Sequence, residues 1–342
     1  MTRDLTISVT KAICIILMVV GHSGCPDEVN EAFSLLRMPC FFVCSGFLFK
    51  EKYFSEPKQY VFNKLKGLWW PFVKWSFIFL FFHNLLAKIH VYDKMLVGGG
   101  EILKAVLSIL IMIDSEPLLG GFWFLKQLLY ASIISYFSLR AIVRWNLKQN
   151  MFLPLLTLLY LLLAFVFSVS SVRIPTISSI TMLSSAYFVF GYCYRKYGFV
   201  KDNWILGLIA LILLVVISFF FTGSMSVVGY DIFIYFVVSL IGCFGLLNLV
   251  SVIKWKFFVD VFDYIGGKTL YVLVFHFLSF KLVTLFLIWY YGLPIENLSA
   301  FPVLKIGGYW MLYSVVGVAL PLIIWEIVEK IKKHVKTLCS FK

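Results

Sequence analysis

Charged residues are scarce in this 342-residue sequence. Asp, Glu, Lys and Arg make up 14% of it, whereas hydrophobic residues make up 61%. Soluble domains average about 25% charged and about 45–50% apolar residues. A water-soluble fold of this composition would leave a large apolar surface exposed, so a soluble domain is excluded as the main architecture.

Clusters of metal-binding or redox-active side chains are also missing. The chain has 7 Cys and 5 His, but no CxxC pair, no His-rich tract and no clustered carboxylates, which are the usual sequence signs of such sites. The sequence therefore predicts no metal and no redox function. No repeat with a period of about 20–50 residues is present either, so residues 1–342 are predicted to form a single membrane domain with no appended soluble domain.

Long apolar runs recur from one end of the chain to the other. A helix needs about 20 mostly apolar residues to cross a bilayer. The runs predict an all-α integral membrane protein, a bundle of about ten transmembrane helices. Segment 102–113 is apolar but short, which favours a re-entrant or interfacial helix. The predicted spans are 5–22, 32–50, 66–88, 122–142, 151–170, 178–194, 204–222, 230–250, 268–291 and 308–330.

The 30 Lys and Arg residues are distributed unevenly between the two sides of these spans. With the N-terminus inside, 21 fall in inner segments and 5 in outer loops. Basic residues concentrate in cytoplasmic loops, so both termini are predicted to be cytoplasmic. The net charge of +13 therefore needs no nucleic-acid partner. The first run is predicted to remain a span, because Lys11 interrupts it and no small-residue cleavage site follows.

Lys11 and His22 are two ionisable residues of the first predicted span. Eleven residues on a helix correspond to about 20° beyond three full turns and a rise of roughly 16 Å, so both side chains should lie on one face. This spacing suits a long, thin acyl carrier whose phosphates are held near Lys11 and whose acyl end reaches His22. Alternatively, Lys11 snorkels to the headgroups and His22 caps the helix end.

Arg37 and His276 are further ionisable residues inside predicted spans, where charge is costly and marks candidate functional residues. Arg37 lies in the second span and could pair with a carboxylate, bind an anionic group or stabilise an oxyanion. It could instead bond carbonyls freed by Pro39. His276 adds a second imidazole from the ninth span, although a single buried histidine is often a packing residue. Trp123 is predicted to be an aromatic belt residue rather than a substrate contact.

Four stretches of the sequence resemble the membrane acyltransferase 3 family, in particular its fucose O-acetylase-like branch. They occur in the family's order across residues 3–278. Two departures are visible: Ser8 stands where an acidic residue is common, and Arg37 where many members carry histidine. The matching stretches are Lys11 to His22 with the run Val20–Ser23, "RMPCFFVCSGFLF" from Arg37, "KLKGLWWPF" from Lys64 together with "FWFL" at Phe122–Leu125, and "YIGGKTLYVLVFHFL" from Tyr264.

The resemblance implies an O-acetyltransferase of a bacterial inner membrane. Acetyl-CoA would be the acyl donor, and a hydroxyl of a cell-surface polysaccharide or its lipid-linked precursor would be the acceptor. His22, Arg37 and His276 would be catalytic, and Lys11 would bind the donor. A transporter or flippase is the alternative, since helices with intramembrane charges can form a pathway. A non-catalytic membrane scaffold is the third class.

Overall fold

The computed structural model describes residues 4–171, 174, 176–198 and 202–340, and it is helical almost throughout. Within these ranges there is no strand, and the only β-type pairing is an isolated bridge between Ile174 and Ile177. The predicted all-α fold is confirmed. The helices are α1 (Leu5–His22), α2 (Asp27–Ser34), α3 (Arg37–Phe47), α4 (Pro57–Lys64), α5 (Trp70–Lys88), α6 (Gly99–Leu110), α7 (Trp123–Arg144), α8 (Gln149–Val169), α9 (Ser179–Lys196), α10 (Trp204–Ser218), α11 (Asp231–Ser251), α12 (Lys256–Gly267), α13 (Thr269–Tyr291) and α14 (Trp310–Ser340).

Six helical segments of the described ranges are long and apolar enough to cross a membrane. The other predicted spans also contain helices, but these are shorter or more polar; α10, for example, has 15 residues. The count of about ten spans and the orientation of the termini therefore stay predictions. Four basic residues used for that orientation, Arg3, Arg173, Lys201 and Lys342, lie outside the described residues. The six segments are Leu5–His22, Pro117–Arg144, Gln149–Val169, Asp231–Ser251, Thr269–Tyr291 and Trp310–His334.

The predicted second span, 32–50, is wrong as a single helix. The chain instead forms α2 and α3, which are separated at Leu35 and Leu36. Proline has no N–H to donate and its ring collides with the carbonyl four residues earlier, so the first turn of a new helix is a favourable place for Pro39, the third residue of α3. The break makes Arg37 the first residue of α3.

The segment around α6 begins and ends against the same turn of α5. Before α6, the backbone N–H of Leu96 donates to Asn84 Oδ1 at 2.8 Å. After α6, Glu116 Oε2 lies 2.7 Å from His83 Nδ1. The segment therefore returns to the end of α5 that it left, in agreement with the prediction that it does not span.

Helix α3 packs closely against α9 through two glycines. A Cβ atom at Gly46 would lie 1.9 Å from the carbonyl oxygen of Phe188, and one at Gly191 would lie 2.0 Å from that of Val43. Small residues at such crossings let helix backbones approach in a membrane. A third glycine does the same between α12 and α1, where a Cβ at Gly266 would lie 2.0 Å from the Ser8 carbonyl oxygen. These contacts fix α1 and α3 inside the bundle.

Candidate active site

One face of α1 lines cavities inside the helical bundle. The face consists of Lys11, Ile15, Met18 and His22, whose spacing of four, three and four residues is that of a single helical stripe. The first three residues line one cavity, and Met18 and His22 line a second. Lys11 and His22 therefore share a face that points into the protein, as the sequence predicted.

The two cavities meet at shared walls. The first, which we call the Lys11 cavity, has a volume of about 290 Å³ and is also bounded by α3, α7, the start of α13 and the π-helical turn Leu65–Trp69. The second, the Arg37 cavity, has a volume of about 340 Å³. Both are lined by Met18, Met38 and Leu273. Three flexible apolar side chains thus separate the end of the bundle near Lys11 from His22.

His22 also lines a third cavity, so it lies where the second and third cavities meet. This Trp310 cavity has a volume of about 460 Å³ and lies between the end of α1 and the segment Pro302–Trp310. Its wall carries polar groups and aromatic rings, among them Asp27, Asn30 and Trp310. The His22 imidazole therefore borders two cavities, the Arg37 cavity and the Trp310 cavity.

His22 and His276 face each other at this junction. His22 Nδ1 lies 3.2 Å from His276 Nε2, and the rings are nearly parallel with centroids 5.4 Å apart. His276 is fully buried, and its Nδ1 lies 3.1 Å from the carbonyl oxygen of Val272 and 3.0 Å from that of Leu273. The structure thus brings together two residues that are 254 positions apart in the sequence.

These contacts fix the tautomers of the neutral pair. Carbonyl oxygens only accept hydrogen bonds, so His276 Nδ1 carries the hydrogen and His276 Nε2 has the free lone pair. His22 Nδ1 must then donate to His276 Nε2. His22 Nε2 consequently holds a lone pair, and it makes no hydrogen bond to any residue that the structure describes. His22 is arranged as a base or nucleophile through Nε2.

Arg37 lies beside the last turn of α1. Its Nη1 donates to Asn30 Oδ1 at 2.8 Å and contacts the Leu17 carbonyl oxygen at 3.5 Å. The guanidinium packs on Gly21, where a Cβ would lie 1.8 Å from Nη1. In the described part of the chain no carboxylate pairs with Arg37, and its Nε and Nη2 have no hydrogen-bond partner. The carbonyl that Arg37 contacts belongs to α1 and is not one freed by Pro39.

Metal ligation is not indicated by the arrangement of side chains. Among the described residues, no group of three or more His, Cys, Asp or Glu side chains could hold a metal ion. Cys14, Cys40, Cys44 and Cys243 lie together in the core, each 1% exposed or less. They are packed as small apolar groups between α1, α3 and α11.

Residues 4–327 match the family model described as an acyltransferase domain, that of the acyltransferase 3 family. The chain belongs to the acyltransferase 3 family. No curated protein and no solved structure matches it significantly.

Membership makes the protein a membrane acyltransferase that transfers a group other than an amino-acyl group. The resemblance seen in the sequence is confirmed at the level of the family, while the fucose O-acetylase-like branch stays a prediction. A transporter or flippase is not favoured by this match. The roles of His22, Arg37, His276 and Lys11 in this acyltransferase are proposals, which their geometry supports.

The sequence did not predict the positions of several residues that lie around the site of this acyltransferase. Trp123, predicted to be a belt residue, lines the Arg37 cavity with His22. Asn30 holds the Arg37 guanidinium from the neighbouring α2. Lys281, inside the predicted ninth span, donates to two loop carbonyls near the Trp310 cavity. Lys281 could have been identified from the sequence, because it is a basic residue within an apolar run. No sequence feature identified Asn30.

Proposed function

We propose that this acyltransferase is an O-acetyltransferase of the cell membrane. It takes an acetyl group from acetyl-CoA and transfers it to a hydroxyl of a cell-surface polysaccharide or a lipid-linked precursor. The donor approaches through the Lys11 cavity, on the cytoplasmic side, and the acceptor approaches through the Trp310 cavity. The two substrates meet at His22.

The observation that carries this proposal is that one face of α1 lines the Lys11 and Arg37 cavities. Lys11, Ile15 and Met18 border the Lys11 cavity, and Met18 and His22 border the next one. A thioester arm is long, thin and flexible, so it fits a row of cavities joined by movable methionine and leucine side chains. The anionic end of the donor then remains near Lys11 while its acetyl group reaches His22.

In direct transfer, His22 Nε2 removes the proton from the acceptor hydroxyl. The hydroxyl oxygen attacks the thioester carbonyl carbon and forms a tetrahedral intermediate with a negative oxygen. When the C–S bond breaks, the leaving thiolate takes the proton from His22 Nε2 and departs as free CoA. The acetyl ester stays on the acceptor, and His22 returns to its starting state.

A covalent route uses the same atoms in two steps. His22 Nε2 attacks the thioester carbonyl carbon, the C–S bond breaks, and CoA leaves as the thiolate, so that Nε2 carries the acetyl group of an acetyl-imidazolium. The acceptor hydroxyl then attacks the acetyl carbon, and the C–N bond breaks with its electron pair returning to Nε2. Nε2 takes the hydroxyl proton and releases it to solvent, where the CoA thiolate is protonated. Incubating the protein with acetyl-CoA without acceptor distinguishes the routes. A mass increase of one acetyl group on the peptide containing His22 supports the covalent route, and its absence under conditions that allow turnover supports direct transfer.

His276 and Arg37 assist His22 in either route. The His276 Nε2 lone pair accepts from His22 Nδ1–H, which holds the imidazole and stabilises it when Nε2 is protonated or acylated. The Arg37 guanidinium has unused N–H donors beside His22 and stabilises the oxyanion or the acceptor. Lys11 holds the donor electrostatically.

Replacing His22 tests the proposal in cells. We expect His22→Ala, at matched membrane levels, to abolish O-acetyl groups on surface glycans measured by mass spectrometry. His334→Ala is the matched control, because His334 is exposed near the end of α14, far along the chain from the site. Wild-type acetylation in His22→Ala would remove His22 from catalysis. Identical glycans with and without the wild-type protein would overturn the proposed acceptor class.

A further inference from the structure

A smaller polar cavity lies beside the Arg37 cavity, where α7 and α9 begin. We call it the Lys126 cavity, and its volume is about 180 Å³. Trp123 of α7 and Ile180 of α9 line the Arg37 cavity, whereas Lys126 and Ser179 of the same two helices line the Lys126 cavity. The two cavities therefore lie side by side on the same pair of helices.

Lys126 brings a positive charge to this cavity. It is half-buried and falls inside a predicted span, where a charge is costly and marks a candidate functional residue. It is the fourth residue of α7, near a helix N-terminus, which disfavours a cation. Asp114 acts on Lys126 electrostatically, but no described carboxylate lies within ion-pair distance of it or lines the cavity. Neither the helix nor an ion pair of the described chain accounts for this charge.

Gln127 adds a buried hydrogen-bond donor without a partner. Its side chain is 6% exposed and lines the Lys126 cavity. Its Oε1 accepts a hydrogen bond from the Thr181 hydroxyl at 2.6 Å, and Thr181 Oγ1 accepts one from the backbone N–H of Ser178 at 3.0 Å. These bonds hold the Gln127 amide in place, and its Nε2 donates to no residue that the structure describes. Buried N–H groups need an acceptor, which the contents of the cavity must supply.

The groups that line the Lys126 cavity are suited to an oxyanion. The ammonium of Lys126 and the amide N–H groups of Gln127 are donors, and the hydroxyl-bearing Ser178 and Ser179 also line the cavity. Carboxylate and phosphate oxygens accept strong hydrogen bonds from such groups. Small-molecule pockets usually measure about 300–1,000 Å³. The Lys126 cavity is smaller, so it has room for one charged group and not for a whole saccharide.

We propose that the Lys126 cavity binds a carboxylate or phosphate group of the acceptor saccharide, and that this acyltransferase therefore selects acidic acceptors. The inference rests on the proposed function, because it names the class of acceptor which that function uses. The reacting hydroxyl lies at His22, and the charged group of the same extended saccharide lies beyond Trp123, between Lys126 and Gln127. Lys126 and Gln127 determine which acceptor binds and do not take part in the acyl transfer step.

Ligand-dependent thermal stabilisation of the full-length protein in phosphatidylcholine nanodiscs tests the site without requiring turnover. The probes are glucose, glucuronate and glucose 1-phosphate, which share a sugar ring but differ in charge. We expect wild type to bind both charged probes more tightly than glucose. Lys126→Gln should lose about tenfold in affinity for the charged probes, and Lys126→Arg should retain it. Lys104→Gln is the matched control, because Lys104 is exposed on the same predicted side of the membrane and lines neither cavity.

A variant of Gln127 keeps Lys126 in place. Gln127→Glu retains the oxygen to which Thr181 donates, replaces the amide donors and adds a negative charge. It should weaken the binding of both charged probes and leave that of glucose unchanged. Tighter binding of glucuronate than of glucose 1-phosphate by wild type would identify a carboxylate of the glycan as the bound group. The opposite order would identify the phosphate that joins a saccharide to its lipid carrier.

Three results would decide against one of the two proposals. Equal binding of the three probes by wild type would overturn the inference, as would an unchanged preference for the charged probes in both Lys126→Gln and Gln127→Glu. Stabilisation by phosphatidylglycerol that requires Lys126, with no response to the charged sugars, would assign the cavity to a lipid headgroup and overturn it too. Binding of the charged sugars that requires Lys126, without any acetyl transfer, would instead overturn the proposed function and leave the oxyanion site standing.

Discussion

Two cations of this acyltransferase, the buried Lys281 and the half-buried Arg37, lie in different regions and make different contacts. Lys281 is 3% exposed, and its Nζ donates to the carbonyl oxygens of Leu298 and Ala300, both at 2.8 Å. Arg37 bonds through Nη1 alone, and it lines a cavity shared with His22. A buried charge is therefore not in itself the sign of a site. Unused donors that face a cavity distinguish the binding cation from the structural one.

Among the changes that test this comparison, removing the Arg37 charge has the largest expected effect. We expect Arg37→Gln to lower the rate of acetyl transfer by about 10²–10³, the range found when one oxyanion donor is lost, with little change in melting temperature. Turnover of purified protein at saturating donor measures this. If Arg37→Gln instead unfolds the protein and transfer per folded molecule persists, Arg37 is structural like Lys281, and the distinction between the two cations fails.

Gly21→Ala changes the position of Arg37 without changing any charge. The new Cβ would lie 1.8 Å from Nη1, so the flexible guanidinium must move. Small displacements of a positioned group cost up to about a hundredfold in rate, and we expect a loss of about tenfold. Gly100→Ala is the matched control, because a Cβ there meets nothing within 4 Å. Equal activity of the two alanine variants would show that the placement of Arg37 beside His22 is unimportant.

The parts of this site that follow from one helix could be predicted from the sequence. Lys11 and His22 share a face because helical periodicity is local, and the apolar runs fixed the helices on either side. The hydrogen bond between His22 and His276 joins residues 254 positions apart. It depends on how α1 and α13 pack, which no local pattern encodes.

The break between α2 and α3 also shows that local sequence patterns do not predict how neighbouring segments pack. Pro39 made a bend predictable, but whether the chain bends or starts a new helix depends on the neighbours of that segment. Asn30 lies on α2 and bonds to Arg37, the first residue of α3, across this break.

Removing the Lys281 ammonium should mainly affect stability. Lys281→Met leaves the carbonyls of Leu298 and Ala300 without their donor, a loss of about 1–3 kcal/mol for buried groups of this kind. We expect a lower melting temperature and little change in transfer per folded molecule, while Lys281→Arg keeps donors and loses less. A stable Lys281→Met protein that no longer transfers acetyl groups would place Lys281 in the active site and reverse the comparison.

Lys196 is a third cation and, unlike Arg37 and Lys281, it has a carboxylate partner. Breaking this ion pair should have the smallest effect of the changes proposed here. Glu51 lies outside the predicted spans, and its Oε1 is 2.6 Å from the Tyr192 hydroxyl and 3.0 Å from Lys196 Nζ. The hydrogen bond from Tyr192, and then that from Lys196, lowers the pKa of the Glu51 carboxyl below its ordinary value of 4.5.

A carboxyl whose pKa is lower in the folded than in the unfolded protein stabilises the fold at pH values above its unfolded-state pKa. This contribution is lost as the pH falls through the folded-state pKa. Because the Glu51 side chain is 57% exposed, Glu51→Gln should cost less than about 1 kcal/mol at pH 7, and its melting temperature should approach that of wild type below pH 4.5. A difference that persists unchanged into acid would show that the charge of Glu51 does not stabilise this turn.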